Sequence, residues 1–404
     1  MSKLFESQWS VIKQTLCEGE DLTRNMDGTP NTTKKKMMET VLENTRRELR
    51  LMESATAGAT NAASVATLNK VILPVIRRVM PTVIANEIIG VQPMTGPVAQ
   101  IHTLRVRYAD TVPTAGGGVS AGNEALSPFD IARFYSGNEN VATPKAAPTS
   151  ALEGKPGNRL SIQILKEVVE AKSRKLSARW TYEAAQDAQA QQGIDIEAEI
   201  MAILAQEITA EIDQEILVSL RALPGAATST FKQDEVSGTP TFVGDVHAAL
   251  AILINRQANL IASRTRRGAG NWVVVSPTAL TILQSATTSA FARTTEGVFE
   301  APTNTKYVGT LNNSMRVYVD QYASDATPVL VGYKGNEMDA AAFYCPYVPL
   351  TSSGVVIDPQ TFEPVVSFQT RYGYVELSNS ASSLGNAADY LGLVAIDTGT
   401  LSFI

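Results

Sequence analysis

From Asp110 to Asn158 the chain carries almost no apolar periodicity. Gly, Pro, Ala, Asn and Ser dominate there, and only Phe129, Ile131, Phe134 and Tyr135 offer much apolar surface. A segment of this length without its own secondary-structure signals is unusual inside a compact domain. Strand patterns bracket it. Gln100 to Tyr108 presents Ile101, Thr103, Leu104, Val106 and Tyr108, and after the gap Leu160, Ile162 and Ile164 alternate with Ser161 and Gln163. A two-stranded loop that projects from the body accounts for this arrangement. Apolar surface that such a loop cannot cover by itself is then buried on a neighbouring subunit.

The rest of the chain reads as globular. Its 404 residues exceed one ordinary core and imply two or three domains or subdomains. Hydrophobic residues make up 44%, enough to build those cores, and the net charge of −6 argues against a strongly basic nucleic-acid reader. Cys17 and Cys345 are too far apart in sequence to suggest a disulfide framework or a metal spacing. The opening residues lack the apolar stretch of a signal peptide, and no apolar run is long enough to span a bilayer. The expectation is a protein made in a reducing cytoplasm that stays soluble or assembles there.

Helical and strand patterns are intermixed, which predicts an α+β fold. Leu4, Phe5, Trp9, Ile12 and Leu16 form one stripe of a first helix, and a second runs from about Lys35 to Glu53. Ser54 to Ser64 is a small-residue linker, followed by apolar residues at helical spacing from Leu68 to Met80, where Pro81 stops them. Ile196, Ile200, Leu204, Ile208, Ile212, Ile216 and Leu220 mark a long amphipathic helix, widened by Ile203 and Leu217. Its polar face carries Glu197, Glu199, Glu211, Asp213 and Glu215. Arg174 to Gln191 upstream also reads as helical, as does Phe242 to Asn259. Trp272 to Val275 is a buried strand, and Ser276-Pro277 starts another helix, with serine as cap and proline in the first turn. Further strands are predicted at 315–319, 329–332, 341–344, 365–369 and 372–377.

No residue pattern points to catalysis. Gly118-Val119-Ser120-Ala121-Gly122 matches a nucleophile-elbow spelling, but that motif needs a strand before the serine and a helix after it. Ser120 sits instead in a glycine-rich loop, and a triad would have to recruit His247. His102, His247, Cys17 and Cys345 have no zinc-site spacing. Gly116-Gly117-Gly118 lacks the following Lys-Ser/Thr of a phosphate loop. No cofactor or metal is expected. Arg264, Arg266 and Arg267 form a small basic patch that suits either surface ion pairs or contact with nucleic acid, and Arg77-Arg78 is a weaker instance.

An ordered series of segments resembles the major capsid proteins of large contractile-tailed, T-even-like bacteriophages. It runs from Arg77-Arg78-Val79-Met80-Pro81 and Asn86–Met94 to Ser173-Arg174-Lys175-Leu176-Ser177-Ala178-Arg179-Trp180-Thr181. It continues through Arg266–Trp272, Val331–Gly335 and Phe343–Pro349 to Thr370-Arg371-Tyr372-Gly373. The resemblance implies the Hong Kong 97-like capsid fold and a structural subunit of an icosahedral head. That subunit would self-assemble into capsomers around double-stranded DNA and have no enzymatic activity.

The domain map that the resemblance implies begins with a helical N-terminal segment at 1–53 and an N-terminal arm at 54–106. An extended loop at 107–160 and a peripheral domain with a spine helix at 161–239 follow. An axial domain at 240–355 and a return to the peripheral domain at 356–404 complete it. The spine helix itself is expected over about 174–222. The implied partners are further copies in hexamers and pentamers, together with scaffold, prohead protease, portal and decoration proteins. The packaged DNA would be in loose contact, no membrane is implied, and the location is the virion capsid. A head protease of this family cuts after a Leu/Ile-x-Glu sequence, and Leu51-Met52-Glu53 before Ser54 has that form. Two readings stand: a cut between Glu53 and Ser54, or retention of the arm with Glu53 as an ordinary helix-end residue. The alternatives to a phage shell are a cellular nanocompartment (encapsulin-like) shell of the same fold and a hydrolase using Ser120.

Overall fold

The structure is a computed structural model. It describes Lys36, Thr40, Glu43 and Asn44, then residues 84–112, 119–123, 125, 135, 146, 148–154, 156–192, 196–234 and 243–286. It continues with 291–293, 306–312, 314–361, 363–378 and 386–401. The helices expected at 3–16 and 68–80 and the Glu53–Ser54 junction lie outside these residues.

In chain order the elements begin with α1 (Ala85–Ile88), β1 (Gly90–Val91), β2 (Val98–Tyr108), α2 (Thr149–Leu152), β3 (Leu160–Glu170) and β4 (Lys172–Arg179). Next come α3 (Tyr182–Gln192), α4 (Ile196–Ala222), β5 (Ser229–Phe231), α5 (Val243–Thr265), β6 (Trp272–Val275) and α6 (Pro277–Ser285). Seven strands follow: β7 (Phe291–Arg293), β8 (Lys306–Leu311), β9 (Met315–Val319), β10 (Val329–Gly332), β11 (Lys334–Asn336), β12 (Asp339–Ala340) and β13 (Ala342–Ser352). The last three are β14 (Val356–Ile357), β15 (Pro364–Glu376) and β16 (Leu391–Ile396).

The chain divides into two compact units, one of residues 1–99, 169–218 and 343–375, the other of 100–168, 219–342 and 376–404. The first unit is built on a sheet ordered β1-β13-β15-β14, with β4 also paired to β15. Strand β1 runs parallel to β13, and β4 runs antiparallel to β15 from Val365↔Arg179 to Tyr372↔Lys172. Burial alternates along β15, with Val366, Phe368, Thr370 and Tyr372 inside, the two-residue period of a strand with one covered face. At Gly373 a Cβ would lie 2.3 Å from Val169 Cγ1, so only glycine fits there.

Strand β4 corrects the expectation of a helix from Arg174. Lys and Arg side chains favour helices, but here half-buried Arg174, Leu176 and Ala178 alternate with exposed neighbours. Pairing along eight residues of β15 outweighs a weak local propensity. The long helix therefore occupies 196–222 and not 174–222, with α3 as a separate helix before it.

Along α4 the apolar stripe holds at Leu204, Ile208, Ile212, Ile216 and Leu220, all buried. Two residues break the pattern. Ile203 is 61% exposed, whereas Asp213 is 1% exposed and accepts a hydrogen bond from the Ile84 backbone N–H at 2.9 Å. Thr209, Asp213, Ile216 and Leu220 share one helical stripe, so the inward face lies slightly off the stripe of isoleucines.

The second unit holds a seven-stranded mixed sheet in the order β5-β16-β10-β6-β9-β8-β7. Helix α5 packs on it, with Leu250, Ile254 and Ile261 in one core with Val273, Val275, Val317, Val331 and Val394. The start of α6 is capped as the sequence predicts, the Ser276 hydroxyl accepting from the Ala279 N–H at 3.2 Å. Gly332 pairs across from Trp272, and a Cβ at that position would lie 2.0 Å from the buried indole ring. The sequence reading sends residues 356–404 back to the other domain as one piece. The structure instead puts β16 inside this sheet, parallel to β5 and antiparallel to β10. The apolar run Leu391–Ile396 lies between β5 and β10 and is buried on both faces, save a half-buried Ala395.

Candidate assembly surfaces

Strands β2 and β3 form a two-stranded sheet of their own. Most of β3 is open. Leu160, Ile162, Ile164 and Val168 fall on one face and are 57%, 69%, 66% and 51% exposed, with exposed Lys166 between the last two. The three consecutive large apolar side chains Leu160, Ile162 and Ile164 make a contiguous patch, and scattered surface residues do not make one.

The far end of this hairpin is better built than its sequence suggests. Tyr108, Val112, Val119, Ala125 and Tyr135 make a small buried cluster with Val106 packed against it. The Tyr108 and Tyr135 rings lie 4.6 Å apart in a tilted pair. The Tyr135 hydroxyl accepts from the Asp110 N–H and donates to the Arg159 carbonyl, which ties the two ends of the segment together. Asp110 and Arg159 also pair through their side chains at 3.2 Å. The Arg159 guanidinium beside Asp110 holds its carboxyl below the usual carboxylate range. The described root of the loop is therefore tied together by packing, hydrogen bonds and an ion pair.

In the first unit Arg174 of β4 gathers three partners. Its guanidinium donates to Glu211 at 2.6 Å, to Glu215 at 2.5 Å and to the Tyr372 hydroxyl at 2.6 Å. Tyr372 in turn donates to Glu215. Burial works against the charge on Arg174, but the hydrogen bonds to Glu215 and Tyr372 outweigh it and hold its pKa above the ordinary value. Glu215 behaves likewise: burial raises its pKa, and the bonds from Tyr372 and Arg174 bring it below the usual range. Two carboxylates of the predicted polar face, Glu211 and Glu215, thus fasten the long helix to the sheet.

The sequence-level site candidates come out as follows. Ser120 follows a single bridge between Val112 and Val119 and leads into a turn at 121–122, with Gly122 at φ +96°. This is not a strand-to-helix elbow. His247 is 3% exposed and its ring meets the Ser285 hydroxyl, so it is not presented to a substrate. Burial pushes the His247 imidazole below its ordinary pKa. Cys345 is buried, its thiol pushed up to about 12 by burial. Among the described residues no group of three or more His, Cys, Asp or Glu side chains could hold a metal ion. Among them, too, no helix is long and apolar enough to cross a membrane. Of the basic patch, Arg267 is paired with Asp339 at 2.6 Å. Arg266 is exposed with φ +52°, and Arg264 is half-buried.

The family model for the major capsid protein Gp23 matches residues 65–396. The chain belongs to this family. The major capsid protein of Vibrio phage KVP40 is 30% identical over 474 aligned positions, which cover 88% of this chain and 91% of that one. Its counterpart in Enterobacteria phage T4 is 31% identical over 402, covering 78% and 76%. Among solved structures, the capsid of the Myoviridae phage XM1 is similar at 12% identity and a TM-score of 0.42, covering 76% of this chain and 89% of that one. The Gp23-family chain is a shell subunit of a tailed-phage head, located in the virion capsid, and its described elements are of the α+β class. Relatives named as phage capsid proteins do not favour the nanocompartment alternative.

Proposed function

We propose that this subunit builds closed shells by covering the open face of its own hairpin with a neighbouring copy. The observation that carries the reading is the apolar row Leu160, Ile162 and Ile164 on β3. Left in water, this row forgoes the stabilisation that burial of large apolar side chains provides, about 1.5–3 kcal/mol for each one fully covered. Repetition over many copies turns such modest contacts into a stable shell. On this reading the seven-stranded unit is the axial domain at the capsomer centre, and the unit of β13, β15 and α4 is the peripheral domain. Hexamers and pentamers enclose double-stranded DNA, and no step is catalysed by the subunit. The net charge of −6 supports loose contact with the packaged DNA. Arg264 and Arg266 are the side chains of the basic patch best placed for DNA or for a neighbouring subunit. Scaffold, prohead protease, portal and decoration proteins complete the set of proposed partners, with the Glu53–Ser54 junction as the candidate processing site.

Size-exclusion chromatography with negative-stain microscopy on the purified full chain tests it. Shells, tubes or six-membered rings are the expected products. A chain that stays monomeric at high concentration, with and without a co-expressed scaffold, would refute self-assembly through this face.

A further inference from the structure

Helix α3 lacks the covered face that normally holds a short helix together. It has 11 residues, fewer than an isolated helix needs to be stable in water, where most helical stability comes from packing one face. Yet every described side chain on it is exposed, save half-buried Ala185. Its sequence, Tyr-Glu-Ala-Ala-Gln-Asp-Ala-Gln-Ala-Gln-Gln, carries carboxylates at Glu183 and Asp187 and no cation. Glu183, Asp187 and Ala190 recur at helical spacing, so both acids stand on one stripe.

In the same unit β4 and β15 offer the opposite charge. Arg174 reaches the long helix from one face of β4, so Lys175 and Arg179 stand on the other, and both are exposed. Arg371 of β15 belongs to that same face, its guanidinium 5.1 Å from the centre of the Tyr347 ring. It is the diagonal neighbour of Lys175, about 7–8 Å away. Over the paired residues 173–179 and 365–371 neither strand places a carboxylate on this face, and Glu363 meets Arg179 only at 3.9 Å. Glu183 and Asp187 stand about 6 Å apart along their helix, a spacing that long side chains bring into line with Lys175 and Arg371.

The geometry points to a head-to-tail contact in the shell, in which α3 of one copy lies on the β4–β15 face of the next, its carboxylates against Lys175, Arg179 and Arg371. A second copy is the partner because each chain carries both halves, oppositely charged, and the subunit assembles with many like itself. A contact between two different patches repeats from copy to copy, so every subunit gives one helix and receives another. Docking supplies the packed face that α3 lacks and gives the cations carboxylates to meet. The inference rests on assembly of the chain with itself and not on the apolar row of β3.

The concentration at which full-length chains assemble, read by light scattering, tests it. Glu183→Lys with Asp187→Lys, and separately Lys175→Glu with Arg179→Glu, should each raise that threshold about tenfold or more, because like charges then face each other. All four changes in one chain should return it to within about threefold of the parent. Thermal unfolding of the dilute subunits should be the same throughout. Parent-like thresholds in both reversals would overturn the contact, the cations then serving only to guard an open strand edge. Failure of the combined chain to recover would overturn it too, since each surface would then meet something else, packaged DNA included. Losses and recovery seen in the unfolding temperature of the dilute subunit would place the pairing inside one chain and refute a contact between copies. A parent that never assembles would sink self-assembly itself and this contact with it.

Discussion

Replacing both Ile162 and Ile164 by threonine should cripple assembly while leaving the folded subunit intact. The two side chains are 69% and 66% exposed, so the free chain loses little when they change. Surface substitutions away from special features stay within about 0.5 kcal/mol, and threonine keeps the β-branching that strands favour. In the shell the balance is different. Each exchange removes an ethyl group and leaves a hydroxyl, worth about 1–1.5 kcal/mol where the isoleucine would be covered. Two of them cost about 2–3 kcal/mol per contact, a shift of roughly 30- to 150-fold in the concentration at which shells appear. Light scattering against protein concentration, with electron microscopy of the products, measures that threshold. Thermal unfolding of the dilute subunit supplies the control. A threshold within twofold of the parent, with the double variant folded, would show that β3 is not covered on assembly and would sink the argument.

Three further outcomes follow from the interior. Arg221 pairs with the fully buried Asp320 at 2.9 Å, so Arg221→Met should destabilise the second unit by about 3–5 kcal/mol in denaturant titration. The double change with Asp320→Leu should recover much of that loss, and a double-mutant cycle that shows simple additivity would contradict the pairing. Gly332→Ala drives a methyl into Trp272 and should cost about 2–3 kcal/mol, read as a fall in melting temperature of roughly 5–10 °C. Glu215 has a folded pKa below its unfolded one, so the unfolded state takes up protons first as pH falls. Its contribution is fully present above the unfolded value and is lost as pH drops through the folded one. Because the Glu215 side chain is 40% exposed, the effect is screened to about 1 kcal/mol or less, and Glu215→Gln should flatten the acid limb of stability against pH by that amount.

Local signals revealed those parts of the fold that local forces decide. The period of Leu204, Ile208, Ile212 and Ile216 showed a helix because one face is buried along its length. Trp272–Val275 and the Ser276-Pro277 start were equally plain, since a run of buried β-branched residues and a capping hydroxyl need no distant partner. Strand β4 was misread because its partner β15 lies nearly two hundred residues away, as the Arg174–Tyr372 hydrogen bond shows. The buried Asp213 was hidden for the same reason, its partner being the Ile84 backbone. Of the candidate surface, the alternation Leu160-Ser161-Ile162-Gln163-Ile164 was legible. The Tyr108–Tyr135 cluster was not, because Val112, Val119 and Ala125 are scattered through the loop and carry no periodicity. The clasp of Arg174, Glu211, Glu215 and Tyr372 joins three elements, and no pattern within any one of them foretells it.

The place of β16 has a consequence for the order of folding. This strand sits between β5 and β10, with Val394 and Ile396 in the main core of its unit, although both partners lie far earlier in the sequence. Until it docks, β10 and β5 each present an open edge, and the core between sheet and α5 lacks part of its wall. During synthesis this unit stays incomplete until Ile396 has emerged, however early its other strands appear. A chain broken off before β16 keeps those edges open and is exposed to proteases before it can join a shell.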